Sequence, residues 1–150
     1  MLGTVLGGKY QIKRLLGEGG MGAVYEAQNT AIGRRVALKT IRHGKLDQPA
    51  VMERFRREAF AMAAVESDHV ASILDAGDDA ATGTAYLVME FLSGEDLAHL
   101  LERMRPLPPQ VAVRVIAQAL EGMTAAHAAG IMHRDIKPSN IERHGLSKRD

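Results

Sequence analysis

The chain of 150 residues contains no cysteine. Disulfides, thiolate-bound zinc, iron–sulfur clusters and thiol nucleophiles are excluded, and the redox compartment cannot be read from thiol usage. Charge of one sign is also missing. Lys+Arg is 19 and Asp+Glu is 18, a net charge of +1, which removes the strong electrostatic case for a nucleic-acid or anionic-membrane binder. No run approaches the roughly 18 apolar residues that a bilayer-spanning helix needs. The longest run near the middle is Ala59 to Val65. The first residues, Met1-Leu2-Gly3-Thr4-Val5-Leu6, lack the basic start and long apolar core of a secretory signal, and Leu2 excludes the myristoylation pattern. Neither a repeat nor a low-complexity tract is present. What remains is a globular balance, 46% apolar and 25% charged, in a length that fits one domain. The expectation is a cytoplasmic chain.

The pattern changes once along the sequence. Tyr10–Leu16 alternates apolar and polar residues, and Val24–Ala27 and Arg35–Lys39 read as two further strands around the turn at Gly33. Asp47 is placed to cap a helix with Pro49 in its first turn. Val51, Phe55, Ala59, Met62 and Ala63 then recur at helical spacing. Val70–Leu74 and Ala85–Phe91 read as strands four and five. Beyond about Glu95 the pattern is helical. Leu97, Leu100, Leu101 and Met104 form one stripe, ended by Pro106, Pro108 and Pro109. Val113, Ile116, Ala117, Leu120, Met123 and His127 form the next, ended at Gly130. The order predicts a small, mostly antiparallel sheet with one helix, followed by the start of a helical region.

Three segments carry chemistry. Leu16-Gly17-Glu18-Gly19-Gly20-Met21-Gly22-Ala23-Val24 contains G-x-G-x-x-G-x-V. Without Cβ atoms, backbone N–H groups can approach phosphate oxygens closely, although a plain tight hairpin reads the same way. A dinucleotide fold needs the last glycine to open a helix. Ala23-Val24-Tyr25 prefers strand, so strand–loop–strand is expected. Gly3 to Lys9 nearly spells a second phosphate loop, but Tyr10 stands where a Ser or Thr should hold Mg²⁺.

The second segment is Val36-Ala37-Leu38-Lys39, a lysine closing an apolar strand. An ammonium beside a buried face needs an anion. Glu58, at the edge of the next helix's inner face, is one candidate. An ordinary helix charge among Glu53, Arg54, Arg56 and Arg57 is the equal alternative. The third is Ile131-Met132-His133-Arg134-Asp135-Ile136-Lys137-Pro138-Ser139-Asn140. Asp135 can accept a proton from a hydroxyl nucleophile, Lys137 can neutralise phosphate charge, and Asn140 offers a carbonyl oxygen to a hard cation. No pair of the six histidines has metal-ligand spacing. His127 and the methionines Met52, Met62, Met89, Met104 and Met123 read as core.

Together, in this order, the three segments resemble the protein kinases. The wording Gly-Glu-Gly-Gly-Met-Gly-Ala-Val-Tyr and His-Arg-Asp-Ile-Lys-Pro-Ser-Asn is most similar to the bacterial serine/threonine kinases of eukaryotic type, over roughly Tyr10 to Asn140. The resemblance implies an α+β fold. Residues 1–92 would be an ATP-binding N-lobe of five antiparallel strands plus a helix C. Residues 93–150 would be the first helices of an incomplete helical C-lobe. It also implies roles. Leu16, Gly17, Glu18, Gly19, Gly20, Met21, Gly22, Ala23 and Val24 would cover the ATP phosphates. Lys39 would hold the α/β-phosphates and pair with Glu58. Val24 and Ala37 would pack on adenine, Met89 would be the gatekeeper, and the backbone of Glu90 and Leu92 would bond the adenine edge. Asp96 matches the acidic position near the ribose, or caps the helix after Ser93. Asp135 would be the catalytic base, Lys137 a γ-phosphate contact and Asn140 a Mg²⁺ ligand.

The match stops after Asn140. No Asp-Phe-Gly is present, and Asp75-Ala76-Gly77 precedes the catalytic segment at what reads as a strand end. That aspartate carries Mg²⁺ in the family, so impaired phosphoryl transfer is expected. The stripe Val113, Ile116, Leu120 and Met123 would also lack packing partners. Exposure costs roughly 1.5–3 kcal/mol per large apolar side chain, against a total stability of about 5–15 kcal/mol. A partner covering the incomplete lobe would offset that. Three functions stay open: a Ser/Thr protein kinase using ATP and Mg²⁺ on a protein hydroxyl, a nucleotide- or partner-binding module without catalysis, and a non-functional fragment.

Overall fold

A computed structural model describes residues 1–19, 22–41 and 49–144. The expected cap Asp47 lies outside them. Contacts divide the chain into two compact units, Met1–Ala64 with Ser72–Phe91, and Val65–Ala71 with Leu92–Asp150.

The first unit is a six-stranded antiparallel sheet with one helix. Its strands are β1 (Val5–Leu6), β2 (Tyr10–Gly19), β3 (Gly22–Asn29), β4 (Arg35–Ile41), β5 (Ile73–Asp79) and β6 (Thr84–Glu90), in the order β1-β2-β3-β4-β6-β5. The expectation was five strands. The sixth, β1, pairs Val5 with Gln11 and Leu6 with Tyr10, and two residues are too short to show a period of two. Val36, Leu38 and Thr40 of β4 turn to the core while their neighbours turn away. Thr84 to Val88 of the inner strand β6 are all buried, as a strand covered on both faces requires. Leu6, Tyr10, Ile12, Ala27, Val36, Leu38, Tyr86 and Val88 form one apolar cluster.

The fourth strand corrects the expected Val70–Leu74. It runs later, over Ile73–Asp79, and carries three aspartates. Asp and Gly are poor strand formers, but tertiary partners decide here. Tyr10 donates its hydroxyl to Asp75 Oδ2 at 2.8 Å, and Lys9 Nζ reaches the same oxygen at 3.4 Å. The buried Asp79 accepts from the Gly7 N–H at 3.0 Å and from the Thr82 hydroxyl at 2.7 Å. Through these bonds the segment before β2 is fastened to the far edge of the sheet, which curls the sheet around the cluster. Burial, reinforced by the bond to Asp75, pushes the Tyr10 hydroxyl up to about 12.

Helix α1 (Pro49–Ala63) buries Ala59 and half-buries Met52, Phe55 and Met62, but leaves Phe60 82% exposed. The near-match loop Gly3 to Lys9 leads into strand β2 rather than a helix, which removes it as a phosphate site.

The second unit contains β7 (Gly94–Asp96), α2 (Leu97–Arg103), α3 (Pro109–Ala128), a 3-10 turn over Pro138–Asn140 and β8 (Glu142–His144). Strand β7 pairs antiparallel with β8. Helix α2 buries Leu97 and Leu100, while Met104, expected in its stripe, caps its end partly exposed. Helix α3 ends as the sequence implies. Gly130 has φ +75° and donates its N–H to the His127 carbonyl at 2.9 Å.

The buried side of α3 is not the expected one. Gly122 and Ala126 are buried, while Val113, Ile116 and Leu120 are 69%, 51% and 61% exposed and His127 is exposed. A Cβ at position 122 would lie 2.6 Å from the His69 carbonyl oxygen. The glycine therefore lets α3 approach the 65–71 segment closely and turns the larger apolar residues outward. His69 Nε2 and Glu121 close this contact at 2.8 Å. Among the described residues no helix is long and apolar enough to cross a membrane.

Candidate active site

The first unit gathers several of the singled-out residues on one face. Val24 pairs with Lys39, Ala37 with Met89, and Lys39 with Leu87 across adjacent strands. Directly opposed residues point to the same side, and positions 37 and 39 alternate with the core-facing 36, 38 and 40. Val24, Ala37, Lys39 and Met89 therefore share the sheet face opposite the apolar cluster. All four are half-buried.

The glycine segment is the hairpin joining β2 to β3, with Gly19 paired to Gly22. Strand–loop–strand is thus what forms. Gly20 and Met21 lie outside the described residues. The remaining three glycines differ in kind. Gly22 has φ +151°, and a Cβ there would press into the Thr40 carbonyl. It is required by the β3–β4 ladder. Gly17 and Gly19 have ordinary φ, and among the described residues nothing lies within 4 Å of a Cβ at either, so no contact with those residues demands glycine there. Leu16, Glu18 and both glycines are exposed, while Ala23 is buried.

Lys39 and Glu58 are not brought together. Glu58 accepts from Arg54 Nε at 3.0 Å, one turn away on α1, and its side chain is 59% exposed. The helix-charge alternative describes the observed state. No ion pair to Lys39 is formed among the described residues. At the end of β6 the Glu90 N–H donates to the Ser72 carbonyl at 3.0 Å, and its carboxylate accepts from the Ser72 N–H at 2.7 Å. What Glu90 can offer a ligand is an acceptor, not its N–H.

In the second unit Leu92 is half-buried. Asp96 does cap α2, accepting from the His99 N–H at 2.9 Å. Its other oxygen meets His99 Nδ1 at 2.6 Å. The bonds from His99 hold the Asp96 carboxyl below its ordinary range despite its burial. The same carboxylate holds the His99 imidazolium above its own. His99 was missed at the sequence level, although the Asp-x-x-His spacing was there to read.

The His-Arg-Asp segment forms a small closed constellation. Arg134 has φ +60°, a left-handed conformation that turns the chain sharply. Lys137 Nζ lies 2.9 Å from Asp135 Oδ2. The Asn140 amide donates to the Asp135 carbonyl at 2.8 Å and to Oδ2 at 3.1 Å. The Lys137 ammonium, aided by Asn140, holds the Asp135 carboxyl below the usual carboxylate range. Both contacts fall on Oδ2, and among the described residues no side chain bonds Oδ1. With the Asn140 NH₂ group used on Asp135, its carbonyl Oδ1 is the atom that fits a hard cation. Among the described residues no group of three His, Asp or Glu side chains converges for a metal. Asp75-Ala76-Gly77 lies inside β5, not at a strand end, with its carboxylate held by Tyr10 and Lys9. It does not match the Asp-Phe-Gly position of the family.

A curled antiparallel sheet with a glycine hairpin and a lysine on its open face in one unit, and a His-Arg-Asp constellation in the other, are the features of the protein kinase class. The sequence matches the protein kinase domain profile over residues 10–144, and the chain belongs to that family. Its relatives include the serine/threonine-protein kinase PknA of Mycobacterium tuberculosis, 41% identical over 143 residues that make up 93% of this chain and 33% of PknA. Another is Pkn2 of Myxococcus xanthus, 43% identical over 91% of this chain and 16% of that protein. The solved PknI kinase domain of Mycobacterium tuberculosis superposes with a TM-score of 0.79 at 26% identity, covering 96% of this chain and 58% of that one. The chain spans a third or less of these curated relatives and somewhat over half of the solved domain.

Proposed function

We propose that the chain carries the ATP-binding and proton-accepting parts of a bacterial serine/threonine protein kinase. Residues 1–92 form the nucleotide-binding lobe and 93–150 begin the second lobe. The observation that carries the reading is the contrast among the glycines. Gly22 is needed by the fold, whereas Gly17 and Gly19 stand open on the exposed hairpin, as a backbone that must approach phosphate requires.

Lys39, with Val24 opposite it, binds the α/β-phosphates. Val24, Ala37 and Met89 cover the adenine, whose edge meets the backbone of Glu90 and Leu92, and Asp96 receives the ribose. Glu58 would have to exchange Arg54 for Lys39. Asn140 would hold Mg²⁺ brought in with the nucleotide, which neutralises phosphate charge when bound. The oxygen of a protein Ser or Thr hydroxyl attacks the γ-phosphorus, and the bond from that phosphorus to the β,γ-bridging oxygen breaks. ADP leaves, and the hydroxyl proton passes to Asp135 Oδ1. Lys137 balances charge on the transferred group. The partners are a protein substrate and a chain that covers the exposed stripe of α3, and the setting is the cytoplasm.

The test is transfer of labelled phosphate from ATP with magnesium to a generic protein substrate, comparing the native chain with Lys39→Met and Asp135→Asn. Loss of incorporation in both variants supports the reading, and equal incorporation in all three refutes it. A second reading, nucleotide binding without turnover, is favoured by one observation. The only Asp-x-Gly near-match among the described residues is tied up in β5. Tight binding by the native chain with no transfer would select it.

A further inference from the structure

The bond between His99 and Asp96 is more than a helix cap needs. A capping carboxylate satisfies the helix start with a single acceptor oxygen, here Oδ1 to the His99 N–H at 2.9 Å. Oδ2 instead takes the His99 ring at 2.6 Å. Two bonds to one residue, one from its backbone and one from its side chain, fix both the position and the plane of the carboxylate. Asp96 is mostly enclosed, with 19% of its side chain exposed, whereas the His99 ring is 72% exposed. A ring that far out gains little from packing, so its contribution is the bond.

We propose that His99 is a positioning residue that presets the Asp96 carboxylate to receive the vicinal diol of a nucleotide ribose. This rests on the assignment of Asp96 to the ribose made above. The chemistry favours a diol over a cation. Each carboxylate oxygen has two acceptor sites; His99 occupies one on each, and the Ala98 N–H also lies against the carboxylate. The acceptor sites that remain, held in one plane, suit neighbouring O–H donors. A cation is disfavoured because the imidazole already lies against the carboxylate. Glu95, the carboxylate next in sequence, is held by Arg103 at 2.6 Å.

Calorimetry with ATP and 2′,3′-dideoxy-ATP tests this on the native chain, His99→Ala and His99→Asn. The expected result is that the native chain prefers ATP, and that His99→Ala loses roughly two- to tenfold of that preference, the worth of one hydrogen bond. Affinity for dideoxy-ATP should be unchanged. His99→Asn, which can donate from a similar place, should recover part of the loss. The cap itself uses the backbone N–H, so thermal melting of His99→Ala should stay near native. As a measurement that needs no variant, the His99 ring proton resonances should shift on adding ATP and not on adding dideoxy-ATP. Full retention of the preference in His99→Ala, or resonances that respond equally to both nucleotides, overturns the proposal. A native chain that binds both nucleotides equally also overturns it, while leaving nucleotide binding intact. A native chain that binds neither refutes the functional reading, and this inference with it.

Discussion

Alanine in place of each glycine of the hairpin separates what the fold requires from what a ligand requires. At Gly22 the backbone is at φ +151° and the added Cβ meets the Thr40 carbonyl. Holding a non-glycine residue in such a region costs on the order of 1–3 kcal/mol. Relieving the clash must also move the ladder where Thr40 faces Ala23 and donates its buried hydroxyl to the Ala23 carbonyl at 3.2 Å. One weakened hydrogen bond adds about 1 kcal/mol. Gly22→Ala should therefore destabilise the chain by about 2–4 kcal/mol. It should also weaken nucleotide binding, because Lys39 is the neighbour of Thr40. Gly17→Ala and Gly19→Ala meet nothing within 4 Å among the described residues. They should leave stability unchanged or raise it by up to about 1 kcal/mol through the unfolded chain, yet lower ATP affinity. Urea melts and nucleotide calorimetry on the three variants give both quantities. If Gly22→Ala melts like the native chain, the ladder geometry is wrong. If Gly17→Ala and Gly19→Ala bind ATP at full strength, their openness has nothing to do with phosphate.

Other variants test the frame around the site. Tyr10 is neutral and hydrogen-bonded in the folded state and ionises only near about 12, against an ordinary 10.0. Its contribution is complete below pH 10 and is lost as pH rises toward 12, at most about 3 kcal/mol for two pH units. Urea melts from pH 8 to 12 should show the native chain losing this increment relative to Tyr10→Phe, and parallel curves would contradict it. The His99–Asp96 pair has a window at lower pH. With His99 raised and Asp96 lowered, its contribution is present between about pH 3.8 and pH 6.5, and fades as pH climbs through the raised His99 value or falls through the lowered Asp96 value. NMR titration of Asp96→Asn should bring His99 back toward its ordinary value. Leu100 is 1% exposed and Leu120 is 61% exposed. Leu100→Ala should then cost about 2–5 kcal/mol and Leu120→Ala less than about 1 kcal/mol, measured by the same melts. Equal losses would mean that α3 is buried where the structure exposes it.

The strands from Tyr10 to Ile41 were legible because apolar alternation and glycine punctuation agree there. So were the two helical stripes and the order of the motifs. Three things were not. Strand β1 is two residues long and exists only because Tyr10 and Gln11 pair with it. Strand β5 runs through Asp75, Gly77, Asp78 and Asp79 because Tyr10 and Gly7 supply partners from elsewhere, and such partners have no local signature. The buried side of α3 was misassigned because the helix has two apolar sides, one of larger residues at Val113, Ile116 and Leu120 and one of smaller residues at Ala112, Ala119 and Ala126. Gly122, rather than the largest residues, fixes which side packs. At the site, spacing put Lys39 on an apolar strand and left Glu58 undecided between Lys39 and its own helix. The Arg54 bond is a local i, i+4 contact, available without any tertiary arrangement.

The most direct measurement is ATP affinity by calorimetry, set beside phosphate transfer, for the native chain, Lys39→Met and Asp135→Asn. The account predicts that Lys39→Met loses nucleotide binding, while Asp135→Asn binds ATP nearly as the native chain does and falls behind only in transfer. Unaltered ATP affinity in Lys39→Met would contradict it.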